Sequence, residues 1–155
     1  MDLIKIVNAN QSKISGGGIL IEYNLFFMNL DKGLCRFAID DNEELKELNN
    51  AILEIIKKDV NVEIFVSTYG VNLKKEIMYI YGDTLWINTN IGIEELINLF
   101  RNYSKVEPSD IALLKEDETI DGIVESVVLA DGEVEDYESF INRRQISKIK
   151  SLYWD

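Results

Sequence analysis

The first third of the chain carries apolar residues in runs that are typical of strands. Residues 2–8 alternate over a span too short for a helix, which predicts a first strand. Apolar side chains then recur at every second position from Ile19 to Phe27, and this predicts a long strand. The residues Asp31-Lys32-Gly33 predict a turn, after which residues 34–39 are expected to return as the partner of that strand.

The clearest helical pattern lies between residues 42 and 58. Asp41 stands three residues before Glu44, the spacing of a capping box at a helix N-terminus. The apolar positions that follow have helical spacing: Leu45, Leu48, Ile52 and Ile55. We therefore expect an amphipathic helix over residues 42–58. A second, shorter helix is expected from Ile93 to Phe100, with N-cap candidates among residues 88–90.

Between these helices the sequence predicts strands joined by a tight turn. Residues 60–66 alternate in polarity, and residues 76–81 form a second strand-like run. Gly82-Asp83 separates that run from Leu85-Trp86-Ile87, and Gly-Asp between two apolar runs is typical of a two-residue hairpin loop. The aromatic side chains of Tyr79, Tyr81 and Trp86 would then face each other across one hairpin.

The last third predicts one buried strand and a terminal helix. Residues 123–129 form an apolar strand that ends at the turn signature of residues 130–133. Residues 134–138 fit a helix or an edge strand equally well. The tail from Phe140 has apolar residues spaced by three, which favours a helix, and residues 108–114 are expected to form a further helical turn.

Hairpin-length connections and interspersed helices favour an α+β fold. We expect a single α+β domain over residues 1–155, built on a mainly antiparallel sheet with two to four packed helices. The Gly16-Gly17-Gly18 run precedes a strand rather than a helix, and no Lys-Ser or Lys-Thr pair follows it, so a hairpin tip explains it better than a phosphate-binding loop does.

Composition removes several classes of chemistry. The chain has no histidine and one cysteine, which excludes His-based catalytic triads, His/Cys zinc sites, CxxC redox pairs and internal disulfides. Cys35 lies in an apolar run and is expected to be a small buried hydrophobe. No apolar run approaches the roughly 18 residues of a membrane helix, and the N-terminus lacks the pattern of a secretory signal. We expect a cytoplasmic protein.

The charge is large, negative and unevenly distributed. The formal net charge is −12, and residues 83–139 alone carry 15 acidic and three basic side chains. Such a field repels the phosphates of nucleic acids and of anionic membranes, and it attracts and orients a cationic protein. The partner is therefore expected to be a cationic protein, with no nucleic acid and no membrane.

Two clusters of carboxylates are the candidate partner-binding residues. They would share one face if the strand over residues 123–129 formed a hairpin with its successor: Glu116, Asp117, Glu118, Asp121, Glu133, Glu135, Asp136 and Glu138. The alternative is a merely soluble surface that the C-terminal cations Arg143, Arg144, Lys148 and Lys150 partly neutralise. The clusters lack the frame of a calcium loop, and we assign no catalytic residue, metal ligand or cofactor.

Three short runs carry a resemblance to a known class of proteins: Asp83-Thr84-Leu85-Trp86-Ile87, Ile93-Glu94-Glu95-Leu96 and Pro108-Ser109-Asp110. These runs resemble segments of small bacterial immunity proteins that are paired with contact-dependent or polymorphic toxins. The resemblance implies a non-enzymatic inhibitor that binds one cognate toxin, and a basic nuclease toxin would suit the acidic surface. Two alternatives stay open: a regulatory or scaffold module that binds a basic segment of a host protein, and a carboxylate-based, metal-dependent hydrolase.

Overall fold

The computed structural model describes residues 2–10, 18–30, 32–69, 79–114 and 124–155. Within these ranges the chain forms one mixed sheet, and helices pack on both of its faces. The strands are β1 (Gly18–Glu22), β2 (Cys35–Phe37), β3 (Glu63–Tyr69), β4 (Ile80–Asn88), β5 (Asp110–Leu113), β6 (Val124–Val128), β7 (Val134–Asp136) and β8 (Ile149–Tyr153). The α-helices are α1 (Leu3–Ala9), α2 (Tyr23–Met28), α3 (Asn42–Lys58), α4 (Ile93–Arg101) and α5 (Tyr137–Asn142).

The sheet has the strand order β5-β8-β4-β3-β1-β6-β7, and β2 pairs with the first residues of β4. The predicted α+β class is confirmed, but the prediction of a mainly antiparallel sheet is wrong. The sheet is mixed, because β1 pairs with β6 and β2 pairs with β4 in parallel. Its five described α-helices also exceed the predicted two to four. Hairpin-length connections are consistent with antiparallel neighbours, but they could not show which distant strands would meet.

The first predicted strand is instead the helix α1. Leu3 and Val7 are four residues apart and both are buried, so the short apolar pattern belongs to one face of a helix. Asp2 caps this helix, since its side chain accepts a hydrogen bond of 3.1 Å from the backbone N–H of Ile4. In a run of seven residues, the apolar positions alone cannot distinguish the helical repeat of about 3.6 residues from the strand repeat of two.

The long strand predicted from Ile19 is also wrong over its second half. β1 ends at Glu22, whose carboxylate accepts a hydrogen bond of 2.9 Å from the backbone N–H of Leu25 and starts α2. The chain therefore does not return as a hairpin, and β2 pairs with β4 rather than with β1. Cys35 in β2 is buried as predicted, and burial raises the pKa of its thiol to about 12.

The two central helices follow the sequence prediction closely, whereas β3 begins and ends three residues later than the strand predicted over residues 60–66. Helix α3 spans Asn42–Lys58, and the side chain of Asp41 accepts a hydrogen bond of 3.0 Å from the backbone N–H of Glu44. Helix α4 begins at Ile93 as expected, although its N-cap is Gly92 and not one of residues 88–90.

The predicted hairpin at Gly82-Asp83 is wrong, because both residues lie inside the continuous strand β4. The pairing with β3 shifts by one residue there: Ser67 faces Thr84, whereas Thr68 faces Gly82. Asp83 is thus the extra residue of a β-bulge. Glycine is common at bulges as well as in tight turns, which explains the signal at Gly82. Tyr81 and Trp86 consequently lie on the same strand and do not face each other across a hairpin. Residues 76–78 of the predicted strand lie outside the described ranges.

Glycine is required at position 82 by close packing. A Cβ atom on Gly82 would lie 2.6 Å from Cγ1 of Val66 and 3.1 Å from the carbonyl oxygen of Ser67. We expect Gly82→Ala to lower the free energy of unfolding by about 1–3 kcal/mol, because a methyl group would overpack this contact. Urea denaturation of Gly82→Ala, Val66→Ala and the double variant measures the effect. An unchanged cost of Gly82→Ala in the Val66→Ala background would contradict the packing explanation.

The C-terminal third differs most from the sequence prediction. The turn at residues 130–133 is confirmed, with Gly132 at a φ of 87°, and the ambiguous residues that follow form β7 and then α5. The expected helical turn over residues 108–114 is wrong because Asp110–Leu113 is the strand β5. The terminal helix is also wrong beyond Asn142. The tail instead forms β8, which lies between β5 and β4.

Two apolar layers hold the helices against the sheet. Consecutive residues of β4 point to opposite faces: Leu85 and Ile87 join the layer beneath α1–α4, and Trp86 joins the layer beneath α5. Trp154, the penultimate residue, is buried against the body of the domain. Its Nε1 donates a hydrogen bond of 2.9 Å to the carbonyl oxygen of Val106. No helix in the described ranges has both the length and the apolar character needed to cross a membrane.

Candidate partner-binding site

Four of the eight predicted site residues lie on one continuous stretch at an edge of the sheet. We call residues 131–138 the acidic segment. It comprises the turn after β6, the outermost strand β7 and the first residues of α5. The structure places these predicted residues in it: Glu133, Glu135, Asp136 and Glu138. The other four lie outside the described residues: Glu116, Asp117, Glu118 and Asp121. That the two clusters share a face therefore stays a prediction.

Two carboxylates of the acidic segment bind other side chains within the chain. The side chain of Asp136 caps α5, accepting hydrogen bonds from the backbone N–H and the hydroxyl of Ser139 at 2.8 and 3.0 Å. The backbone hydrogen bond from Ser139, followed by the hydroxyl bond, lowers the pKa of Asp136 below its ordinary value. Glu135 forms an ion pair with Arg143, with an N–O distance of 2.5 Å. Both residues have an intramolecular role besides their charge.

The remaining carboxylates of the segment project to solvent. Asp131, Glu133 and Glu138 are exposed, and none of them forms an ion pair with a cation in the described part of the chain. The side chain of Asp131 accepts a hydrogen bond of 3.0 Å from the backbone N–H of Glu133, which fixes the turn. The edge of the sheet therefore carries three exposed carboxylates that have no described ion pair and cap no helix, in addition to the exposed cap residue Asp136.

Two of the four C-terminal cations, Arg144 and Lys150, bind groups outside the acidic segment and so do not neutralise it as the alternative requires. Arg144 donates two hydrogen bonds to the carboxylate of Glu63, at 2.8 and 2.7 Å, and a third of 2.7 Å to the carbonyl oxygen of Phe140. Lys150 is buried, and its Nζ donates to the carbonyl oxygens of Thr89 and Lys148 at 2.8 and 3.1 Å. Burial lowers the pKa of Lys150. Among the described ion pairs, Arg143 alone links a C-terminal cation to the acidic segment.

The ion pair between Arg144 and Glu63 joins the loop after α5 to the first residue of β3. Burial of Glu63 opposes its ionisation, but hydrogen bonds from Arg144 and Asn88 and the charges of Arg144 and Arg143 outweigh that effect. The pKa of Glu63 is consequently held below its ordinary value of 4.5. The guanidinium of Arg144 also lies 3.5 Å from the ring centroid of Phe140, a cation–π contact. Arg144 therefore serves the fold and is not available to shield the acidic segment.

A cleft at the opposite edge of the sheet was missed by the sequence reasoning. It lies between α4 and β5 and has a volume of about 370 Å³, and its apolar lining includes Ile97, Phe100 and Ile111. No sequence signal pointed to it, because residues 108–114 were predicted to be helical and not an edge strand. A larger cleft of about 580 Å³ lies beside β2, where the guanidinium of Arg36 stacks 4.4 Å from the ring centroid of Tyr79.

No group of three or more histidine, cysteine, aspartate and glutamate side chains in the described ranges is arranged to hold a metal ion. The chain matches no protein-family model, no curated protein and no solved structure.

Proposed function

We propose that this chain is a non-enzymatic binding protein that docks a cationic protein on the acidic segment, residues 131–138. In line with the resemblance of three short runs to immunity proteins, the partner is a basic bacterial toxin, which the complex neutralises in the cytoplasm. The observation that carries the proposal is the set of three exposed carboxylates at the sheet edge, Asp131, Glu133 and Glu138, left without ion pairs to described cations.

Electrostatics explains why this arrangement suits such a partner. Exposed carboxylates on a rigid turn and strand end create a local negative potential, which raises the rate of encounter with a basic surface by about 10- to 1000-fold at low salt. Close charge pairs across an interface then couple by about 1.5–7 kcal/mol. A basic nuclease presents cations where it binds phosphates, so carboxylates at this edge could occupy the same cations and block its substrate.

A matched pair of charge reversals tests the proposed surface. Glu133→Lys with Glu138→Lys changes the acidic segment, whereas Asp40→Lys with Glu43→Lys makes the same change of net charge near the start of α3. All four residues are exposed. We expect the first pair to slow association with a cationic partner at least about tenfold, because it removes steering at the contact, and the second pair to slow it far less. Both should unfold within about 1 kcal/mol of the parent, as surface substitutions usually do.

If the chain is an immunity protein, we expect its toxin to be the basic C-terminal domain of a large secreted protein encoded beside this chain's gene, and that domain is the partner to use. Association rates measured by surface plasmon resonance at low and high salt give the comparison. Equal slowing by the two pairs of reversals would remove the acidic segment as the interface. Rescue of cells that express the basic domain separates an immunity protein from a regulatory or scaffold module, since both would bind. Metal-dependent turnover that carboxylate substitutions abolish would instead select the hydrolase.

A further inference from the structure

The strand β5 lies at the end of the sheet opposite to β7, and half of its backbone groups point away from the sheet. β5 pairs with β8 in antiparallel register, and the N–H of Leu114 donates a hydrogen bond of 3.0 Å to the carbonyl oxygen of Ile149. Backbone groups alternate in direction along such a ladder. The N–H and C=O groups of Ile111 and Leu113 are therefore directed to the outer edge. No strand in the described ranges pairs with that edge.

A cleft lined by apolar residues and by polar and charged ones runs beside this edge. Ile111 and Leu113 are two residues apart, so their side chains lie on the same face of the sheet, the face on which α4 packs. Leu113 is 51% exposed, and Ile97 on α4 is 38% exposed. The cleft of about 370 Å³ is lined by Ile97 and Ile111 and has room for a large apolar side chain, while Leu113 lies farther along the same edge strand. Sheet edges are commonly protected by lysine, proline or a bulge, whereas this edge presents an exposed leucine.

We propose that β5 receives an extended segment of a basic partner protein as an additional strand. Backbone hydrogen bonds to Ile111 and Leu113 would hold the segment, and one of its apolar side chains would fill the cleft between α4 and β5. This is the recognition mode in which a peptide adds a strand to a sheet edge and pockets select alternate side chains. The proposal does not depend on the acidic segment, which lies at the other end of the sheet.

The charges around the cleft determine which occupant fits. Glu107 and Asp110 line one end of it, and the backbone N–H of Asp155 donates a hydrogen bond of 2.9 Å to the hydroxyl of Ser109, which brings Asp155 to the same end. Arg101 also lines the cleft and donates a hydrogen bond of 2.9 Å to the side chain of Asn98. A second copy of this chain would bring a net charge of −12 against −12. A basic segment is favoured because its charge is complementary.

An alternating Lys-Val octapeptide, acetylated and amidated at its ends, is the probe, and an alternating Glu-Val octapeptide is its charge control. Binding to the full chain is followed by amide NMR titration and hydrogen exchange. We expect the Lys-Val peptide to slow exchange at the amides of Ile111 and Leu113, and the Glu-Val peptide to bind at least about tenfold more weakly. No protection of these two amides at millimolar Lys-Val peptide, or equal binding of both peptides, would overturn the proposal.

The substitution Leu113→Pro tests the backbone contact directly. Proline removes the outward N–H of residue 113, which β8 does not use, and proline is tolerated at such edge positions. Leu113→Ala is the matched control, since it removes the leucine side chain and keeps the N–H. We expect Leu113→Pro to weaken peptide binding about tenfold relative to Leu113→Ala, because a hydrogen bond is lost and the ring obstructs the added strand.

Three further results would contradict strand addition by a partner. The first is equal peptide binding by the proline and alanine variants, with the peptide-induced changes in amide chemical shift confined to residues 131–138. That result would mean that charge alone recruits the peptide to the acidic segment. A dimer in sedimentation experiments that Leu113→Pro dissociates would make a second copy the occupant. If Leu113→Pro fails to fold, Ile97→Glu replaces it, and unchanged peptide binding by that variant would exclude the cleft.

Discussion

Replacing Phe140 with alanine should lower the free energy of unfolding by about 3–5 kcal/mol, the usual cost of removing a fully buried aromatic ring. The ring of Phe140 has no exposed surface, and its centroid lies 5.1 Å from that of Phe65 and 5.2 Å from that of Trp86. It is the largest fully buried side chain that α5 contributes to the layer on that face of the sheet. Its loss would leave a cavity beneath the helix and remove the cation–π contact with Arg144.

Equilibrium urea denaturation followed by circular dichroism measures this effect. Val60→Ala is a suitable control, because Val60 is 80% exposed and its substitution should change stability by less than about 0.5 kcal/mol. A cost below about 1 kcal/mol for Phe140→Ala would show that α5 does not pack on the sheet as described. In that case the acidic segment, whose last residues begin α5, would also lack its fixed position.

The substitution Arg144→Met should cost about 2–3 kcal/mol at neutral pH, since it removes both hydrogen bonds to the half-buried carboxylate of Glu63. The same substitution at the neighbouring arginine is the control. Arg143 is 59% exposed, whereas Arg144 is only 12% exposed. Exposed ion pairs contribute about 0–1 kcal/mol, so Arg143→Met should be nearly neutral. Equal costs for the two variants would contradict the burial argument.

The cost of Arg144→Met should also depend on pH. Because the folded state holds the pKa of Glu63 below its ordinary value of 4.5, this carboxylate stabilises the protein above that value. The contribution is lost as the pH falls through the lowered pKa. The difference in unfolding free energy between the parent and Arg144→Met should therefore shrink between neutral pH and about pH 3. A difference that stays constant over this range would mean that Glu63 is not the partner responsible.

The accuracy of the sequence prediction depended on how local each signal was. The cap at Asp41 and the apolar spacing of α3 act within one helix, so the predicted bounds agree with the structure. The signal at Gly82-Asp83 was real, but glycine serves tight turns and β-bulges alike. The pairing with β3, in which Ser67 faces Thr84 and Thr68 faces Gly82, shows which of the two the chain forms.

The candidate site likewise has some features that the sequence shows and others that only the fold shows. The concentration of carboxylates between residues 83 and 139 can be read from the sequence, and so can the turn that fixes Asp131 near Glu133. The sequence does not show which groups Arg144 and Lys150 bind. Their partners Glu63 and Thr89 lie 81 and 61 positions away along the chain. The cleft beside β5 does not follow from the sequence, because the pattern of residues 108–114 predicts a helical turn and not the strand that forms.

By itself the sequence determined the long helix α3, the burial of Cys35, the net charge and the concentration of that charge in residues 83–139. Each of these follows from neighbouring residues or from simple composition. Only the tertiary structure decided that the tail is an inner strand of the sheet, between β5 and β4. β8 has a neighbour on each side and apolar layers on both faces, so Ile149 and Leu152 are both buried and the polar alternation that marks an exposed strand is lost. Which strands pair, and which cations remain available to the carboxylates, depends on contacts between distant parts of the chain.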